Sequence, residues 1–575
     1  MRLIIKYLRP LFRRMFFGLS IKSTGTLVEL AIPYILSYIL KSVVLKESIP
    51  LIVAWGLLMI FCSVFACVFN IWANRLAAGV ARDFSEKLRN DLFAKTVSLS
   101  AAQTDAFTVA SLESRITTDT YNVHGFVNMM QRMGVRAPIL LIGGIAITLI
   151  MDSYLALSML AVLPFIFITV MLISKKGVPL YTKVQKSVDR MIGVVREDAQ
   201  GIRVIKALSK EKYEHGRYDA ANTALVKNEK KAGITMGLVN PVMTLLMNIG
   251  IVAVIAMSAP RAAAGVSDSE TVIAFIQYFT MISTAMMSVT RIFNMYTRSS
   301  ASARRIEEVL STPEDLTVKK GPDAPLKPAD DAHIEFDHVS FSYLGGHTDL
   351  SDISFKLKRG GHLGIIGATG SGKTTLIKLL MRFYDVTDGC IKINGRDIRT
   401  IPRHELYSMF GAAMQNDFVF GGTIEENIEF FRGKNGVDIY GAAKTAQAEE
   451  FITSFGDGFS HMLSPKGTNV SGGQRQRLLI SRALASKPDI LILDDSSSAL
   501  DYKTDAALRK ALKRDMGGTT VVTVAQRVSS VKDCDTIIVL EYGEMIGMGT
   551  HEQLLRTCPE YREISDSQMG GAILD

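Results

Sequence analysis

Hydrophobic residues gather into long unbroken runs in the first half of the chain and alternate with polar residues over short stretches in the second. Crossing a bilayer takes about 20 mostly apolar residues. Six stretches qualify, near 16–44, 50–76, 134–151, 153–174, 236–260 and 270–292. Long polar connections, 77–133 and 175–235, follow the second and fourth of these, and the other connections are short. Apolar residues recur through both at heptad-like spacing, which predicts that the spans continue into water as long helices. Arg75, Arg82, Lys87 and Arg89 mark the first connection, and Lys175, Lys176, Arg203, Lys206 and Lys210 the second. Positive charge beside spans stays in the cytoplasm, so both connections and both termini are expected there. The opening MRLIIKYLRPLFRRMFF is basic and amphipathic, with no small-residue cleavage site. It predicts a helix lying in the membrane interface before the first span, not a signal peptide.

Composition changes at TPEDLTVKKGPDAPLKPADDA, which is proline-rich and charged. The expected organisation is a transmembrane domain over 1–311, a linker over 312–332 and a soluble domain over 333–575. HIEFDHVSFSY alternates with period two, as a strand does, and ends at Tyr343. A short apolar strand, Leu363–Ile366, then runs into GATGSGKTT (367–375) and an amphipathic helix. This is GxxxxGK[ST] in the strand–loop–helix context that the motif requires. Its glycines let backbone N–H groups close around phosphates, and the helix N-terminus adds its dipole. Lys373 reaches the β and γ phosphates, and the Thr374 hydroxyl can ligate Mg²⁺. Further on, the apolar strand 490–493 delivers Asp494, where the water shell of that metal needs a carboxylate. Ser471-Gly472-Gly473-Gln474 opens a helix that carries Arg475, Arg477 and Arg482. Those four residues are either a second backbone-rich anion site or a plain helix cap.

With 575 residues the chain is too long for one ordinary domain. Its net charge of +9 sits largely beside the spans, so positive-inside retention explains it and nucleic acid is set aside. Cys62, Cys67, Cys390, Cys534 and Cys558 show no metal-ligand spacing and read as thiols of a reducing compartment. Inside the spans, Glu29, Asn248 and Gln277 mark either a substrate pathway or bonds between helices. Spans five and six are rich in methionine, which gives adaptable apolar surface or plain membrane packing.

In their order along nearly the whole chain, these motifs resemble those of an ATP-binding cassette (ABC) exporter, with six spans fused to one nucleotide-binding domain. On that resemblance Tyr343 stacks on adenine. Gly367, Ala368, Thr369, Gly370, Ser371, Gly372, Lys373, Thr374 and Thr375 form Walker A. Gln415 in AAMQNDFVF is the Q-loop, Ser471, Gly472, Gly473 and Gln474 are the signature, 490–494 is Walker B, and Ser498 to Asp501 is the D-loop. TVASLESRITTD (108–119) resembles the first intracellular loop and VREDAQGIRVIKALSKE (195–211) the second, each expected to hold a short coupling helix. The implied fold is an all-α, six-helix transmembrane domain of the type IV exporter kind, with long helices reaching into the cytoplasm. An α/β P-loop ATPase domain with a small antiparallel β subdomain follows it. The implied cofactors are ATP and Mg²⁺, with Thr374, Gln415 and Asp494 around the metal. The implied partners are a second half-transporter, membrane lipid and a small amphipathic substrate. The implied setting is a bacterial plasma membrane, with the ATPase domain in the cytoplasm.

The sequence departs from the family at three positions. Asp495 stands where the catalytic glutamate belongs, Gln526 where the switch histidine belongs, and Pro465 where a glutamate precedes the signature. Aspartate retracts its carboxylate by about 1–1.5 Å, roughly one C–C bond. A displacement of about 1 Å costs on the order of 100-fold in rate. Glutamine can donate a hydrogen bond to a phosphate but cannot carry the proton. Asp495, Gln526 and Gln415 are therefore expected to hold ATP and hydrolyse it slowly, while the intact signature serves a partner's ATP. That asymmetry resembles the degenerate-site subunit of heterodimeric bacterial multidrug exporters. The alternatives are a slow homodimer, or an ATP-gated regulator without net transport. No Cys/His protease domain is expected before the first span, which argues against a peptide exporter that matures its own cargo.

Overall fold

The structure, a computed structural model, describes residues 1–263, 269–319, 332–343, 346–415, 417–430, 432 and 437–569. The chain divides into two compact units, Met1–Ser98 with Phe107–Thr312, and Leu99–Ala106 with Pro313–Asp575.

The first unit is helical. Among the described residues, six helical stretches are long and apolar enough to cross a membrane: Arg2–Val43, Ile49–Ser98, Val109–Met151, Ser153–Ala207, Glu211–Pro260 and Thr271–Leu310. They are built from α1 (Arg2–Leu8), α2 (Phe12–Tyr38), α3 (Ile49–Ser98), α5 (Val109–Ser114), α6 (Thr120–Met133), α7 (Arg136–Met151), α8 (Ser153–Ala207), α9 (Glu211–Gly237), α10 (Val239–Ala263) and α11 (Ser269–Leu310); α4 (Ala101–Phe107) is short. Pro10 lies in the single 3₁₀ turn that separates α1 from α2. The Tyr7 hydroxyl ties α1 to α3 by donating to Asp91 at 2.7 Å. Helix α3 outlasts its apolar run because Ala73, Ala77, Val80, Phe84, Leu88 and Leu92 continue a buried stripe at helical spacing. Asp119 is 1% exposed and accepts from Arg305 Nε at 2.8 Å and Ser302 Oγ at 2.9 Å, which joins the first connection to α11.

Both coupling segments differ from expectation. The short helix of the first connection is α4, upstream of 108–119, and its residues up to Ala106 group with the second unit. In 108–119 the chain instead forms α5 and a π-helical stretch, Arg115–Asp119. In the second connection no separate short helix forms over 195–211. Helix α8 runs unbroken to Ala207, Ser209 turns the chain with φ 53°, and α9 starts at Glu211.

The second unit holds two main sheets. The antiparallel one, in order β2-β1-β4-β5, uses β1 (Ala332–Phe341), β2 (Leu350–Lys358), β4 (Asp388–Ile393) and β5 (Arg396–Asp397). The other, in order β12-β11-β3-β10-β9-β6, uses β3 (His362–Gly367), β6 (Phe410–Ala413), β9 (Ile490–Asp494), β10 (Thr520–Val524), β11 (Thr536–Glu541) and β12 (Glu544–Gly549). Two-residue strands β7 (Gly422–Thr423) and β8 (Met462–Leu463) pair separately. All pairings of β3, β6, β9, β10 and β11 with one another are parallel, and β9 is buried along its whole length. The expected linker lies partly outside the described residues, at 320–331. Its first part is tied down, since Arg382 donates to the Thr317 carbonyl and Lys319 N–H to the Arg399 carbonyl, both at 2.8 Å.

His333 at the start of β1 is 2% exposed, with Nδ1 2.6 Å from Thr520 Oγ1. Burial, and then the charge of Arg359, lower its pKa from 6.5 to about 4. Between those values the unfolded chain binds the proton and the folded chain does not, so stability falls as pH falls through that window. His333→Asn should therefore reduce the drop in melting temperature between pH 7 and pH 5 measured on the whole purified chain. An undiminished drop contradicts this role.

Candidate nucleotide-binding site

Strand β10 pairs in parallel with β3 and β9, setting Val524 opposite Ile365 and Asp494. The loops leaving these strand ends therefore meet: the phosphate loop after β3, Asp494–Asp495 after β9, and Gln526 after β10. Helix α12 (Lys373–Leu380) starts at the loop's end. Gly372 takes φ 97°, and a Cβ on Gly367 would lie 2.1 Å from the Leu540 carbonyl oxygen, so both positions need glycine.

These loops surround a cavity of about 200 Å³ lined by Thr369, Gly370, Lys373, Thr374, Gln415, Asp494, Asp495 and Gln526, with others. Lys373 is buried, and its ammonium donates to the carbonyls of Gly367 and Ala368 at 2.8 and 2.6 Å. Burial lowers its pKa, and the charges of Asp494 and Asp495 oppose that shift. Ser371 Oγ is buried without a protein partner. Thr374 Oγ1 donates to Asp494 Oδ2 at 3.4 Å. Burial raises the Asp494 carboxyl above the usual range. A divalent cation between Thr374 and Asp494 would supply the charge that this carboxylate lacks, and a phosphate would satisfy Ser371 and Lys373. The residues fit Mg²⁺ and a nucleotide polyphosphate.

Asp495 takes φ 50°, a left-handed conformation that aspartate tolerates. Its Oδ2 accepts from Gln415 Nε2 at 3.3 Å and from Gln526 Nε2 at 3.2 Å. Burial raises its pKa, while the Gln415 hydrogen bond and the Lys373 charge pull it down. The three residues expected at the hydrolysis step thus meet at one carboxylate oxygen.

Tyr343 lies beside the loop, half-exposed, its hydroxyl 3.3 Å from Thr375 Oγ1. Its ring packs edge-on against Tyr384 at 5.1 Å between centroids. The Tyr384 hydroxyl donates to Asp105 of α4, while Ser100 Oγ donates to Asp315 at 2.6 Å and Gln103 Nε2 to the Pro313 carbonyl at 2.7 Å. Sequence reading missed Asp105 and Tyr384, because no local pattern sets either apart.

Ser471 and Gln474 form a capping box at the start of α17 (Gly472–Leu484), so the signature does make the helix cap. None of Ser471, Gly472, Gly473 and Gln474 lines the cavity of their own chain. Asp501 caps α18 (Tyr502–Asp515), accepting from Thr504 N–H at 2.9 Å. Pro465 opens a 3₁₀ turn in which Lys466 takes φ 66°. In the first unit, Glu29 accepts from Arg136 at 2.6 Å. Asn248 is exposed and Gln277 half-buried. Sequence reading also missed Arg136 and the buried Lys22, which donates to Asn70 at 2.7 Å and Asn74 at 3.1 Å.

This geometry defines a P-loop ATPase unit joined to a helical membrane unit. Residues 15–286 match the ABC transporter transmembrane region and residues 350–498 the ABC transporter domain. An uncharacterized ABC transporter ATP-binding protein of Mycobacterium tuberculosis is 33% identical over 573 residues, covering 98% of each chain. Another, from Bacillus subtilis, is 33% identical over 572 residues and 99% of each. A bacterial Atm1-family ABC exporter solved with ATP bound is 23% identical, with a TM-score of 0.79, covering 97% of this chain and 98% of that one. The chain belongs to the ABC transporter family. It is a half-transporter with the exporter fold, a multi-pass membrane region fused to one ATP-binding domain of the kind that couples ATP hydrolysis to transport and works in pairs.

A buried carboxylate with a raised pKa costs stability while no cation is bound. Asp494→Asn should raise the melting temperature of the nucleotide-free chain at pH 7 and abolish the Mg²⁺-dependent part of its stabilisation by ATP. A lower nucleotide-free melting temperature contradicts the first outcome, and a retained Mg²⁺ effect contradicts the second.

Proposed function

We propose that this chain is one half of a heterodimeric exporter of amphipathic small molecules (drugs, lipids or peptides) in a bacterial plasma membrane. Its own site holds Mg-ATP and hydrolyses it slowly, and its signature completes the partner's working site. The observation that carries this reading is the Asp495 carboxylate, clasped by the amides of Gln415 and Gln526. Neither amide can accept and hold a proton, so neither can share the proton transfer with Asp495. Aspartate's short reach sets its carboxylate about 1 Å or more farther from the attacking water than a glutamate would be, worth on the order of 100-fold in rate.

ATP binding rests on groups that are all present. Lys373, Ser371 and the loop N–H groups take the phosphates, Thr374, Asp494 and Gln415 hold Mg²⁺, and Tyr343 stacks on adenine. Ser471–Gln474 open a well-capped helix outside their own chain's cavity, which suits an ATP held by another chain. Asp501 shapes the loop that follows Walker B. Closure of two cassettes on ATP moves the spans from inward- to outward-facing, while the methionines of α10 and α11 pack among the helices. Arg136 pairs with Glu29 and joins α2 to α7.

The test compares two variants in the assembly as it is extracted from its membrane. Asp495→Asn should leave more than half of the ATPase activity. Ser471→Arg should remove about 100-fold or more, as deleting a transition-state donor does. Loss of all activity in Asp495→Asn contradicts the proposal, and equal loss in both variants points to a homodimer.

A further inference from the structure

Gln568 lies in α21 (Pro559–Met569), far along the chain from the nucleotide motifs, yet its side-chain amide spans the loop that carries Gln526. Its Oε1 accepts from Val528 N–H and its Nε2 donates to the Gln526 carbonyl, each at 2.8 Å. These two backbone groups flank Arg527. Val528 also opens the short helix α19 (Val528–Val531), whose first N–H groups have no acceptor within the helix.

The placement follows from the sequence of α21. Tyr561, Ile564, Ser565 and Gln568 recur at i, i+3, i+4 and i+7 and share one face. Tyr561 and Ser565 are buried, and Ile564 packs against the cluster that contains Ile366, Ala525, Val528 and Val531. Tyr561 is fixed further by His551, whose Nδ1 lies 2.7 Å from the phenol oxygen. A helix docked this way delivers its last described turn to the loop. The far end of α19 has its own ties: Ser530 Oγ lies 3.1 Å from Ser497 Oγ, and Arg509 donates to the Ser529 carbonyl at 2.7 Å. Upstream, Ala525 N–H donates to Ile365. Ser530 and Lys532 N–H groups donate to the Arg527 and Val528 carbonyls from within α19 and the residue after it, and the two bonds from Gln568 tie the backbone of 526–528 to a distant element. The same segment aims Gln526 Nε2 at Asp495.

We infer that Gln568 is a positioning residue for the nucleotide site. It holds the switch loop so that Gln526 meets Asp495 when the site is free of nucleotide and the terminal phosphate when ATP is bound. Glutamine suits the task because its amide offers one acceptor and one donor group, matching one N–H and one C=O. Glutamate would keep the Val528 bond and set a carboxylate oxygen against the Gln526 carbonyl. The inference makes the C-terminal helix part of the ATP machinery, and it holds whether the second cassette is identical or different.

The experiment uses Gln568→Ala and Gln568→Glu in the full chain, in its native assembly. Three quantities are read: amide hydrogen exchange over 525–530, ADP affinity, and the lifetime of limiting labelled ATP at this chain's site, counting release and hydrolysis together. ADP lacks the phosphate that Gln526 would touch, so its affinity should stay within about twofold, whereas losing a hydrogen bond to a charged phosphate should shorten the ATP lifetime by about tenfold or more. Val528 should exchange faster in Gln568→Ala, with Ala525 unchanged. Faster exchange with an unchanged ATP lifetime would reduce Gln568 to a cap on α19 and overturn the inference. Equal losses for ADP and ATP would overturn it too, as the mark of a general structural role.

Discussion

The parallel pairing of β10 between β3 and β9 is the constraint from which the ATP-binding unit follows. It fixes the phosphate loop, Asp494 and the switch loop at the C-terminal ends of three neighbouring strands, without any long side chain having to search for its partner. Buried on both faces, these strands cannot slip by a residue without turning core side chains outward. A slip would also move Asp494 by about 3.3 Å along its strand. The burial that fixes the register works against the charges at the strand ends. It raises the carboxyls of Asp494 and Asp495 and lowers the Lys373 ammonium. The site is strained toward a ligand that brings both a cation and phosphates.

The membrane unit handles polarity in the opposite way, by pairing it within the chain. Glu29 meets Arg136, and Lys22 meets Asn70 and Asn74. A lone charge at such depth would cost several kcal/mol, so each partner is part of what lets the other remain. Asp119 and Arg305 repeat the device between the first connection and α11. These paired residues are thus accounted for first by the fold.

Much of this was legible in the sequence, for a physical reason. The spans, the phosphate loop, the Walker B strand and the signature are each written in consecutive residues, and local patterns survive folding. Asp495 and Gln526 were legible as departures because their positions are counted from those motifs. What escaped depends on residues far apart in the chain. Tyr384 finds Asp105 279 positions away, and Arg136 finds Glu29 107 away. Gln568 is an exposed glutamine whose two bonds to the switch loop form only when α21 docks. The short helix of the first connection fell outside the segment chosen for it, because AAQTDAF lacks a clear apolar period. The second segment was expected to hold a helix of its own, but nothing before Ser209 interrupts α8.

The central claim is that this chain is half of an unequal pair. The direct measurement is to tag it in its native membrane, extract it gently, and weigh the intact complex and its components. The account predicts a second half-transporter in one-to-one ratio, with glutamate and histidine where this chain has Asp495 and Gln526. Recovery of nothing but a pair of identical chains would contradict it.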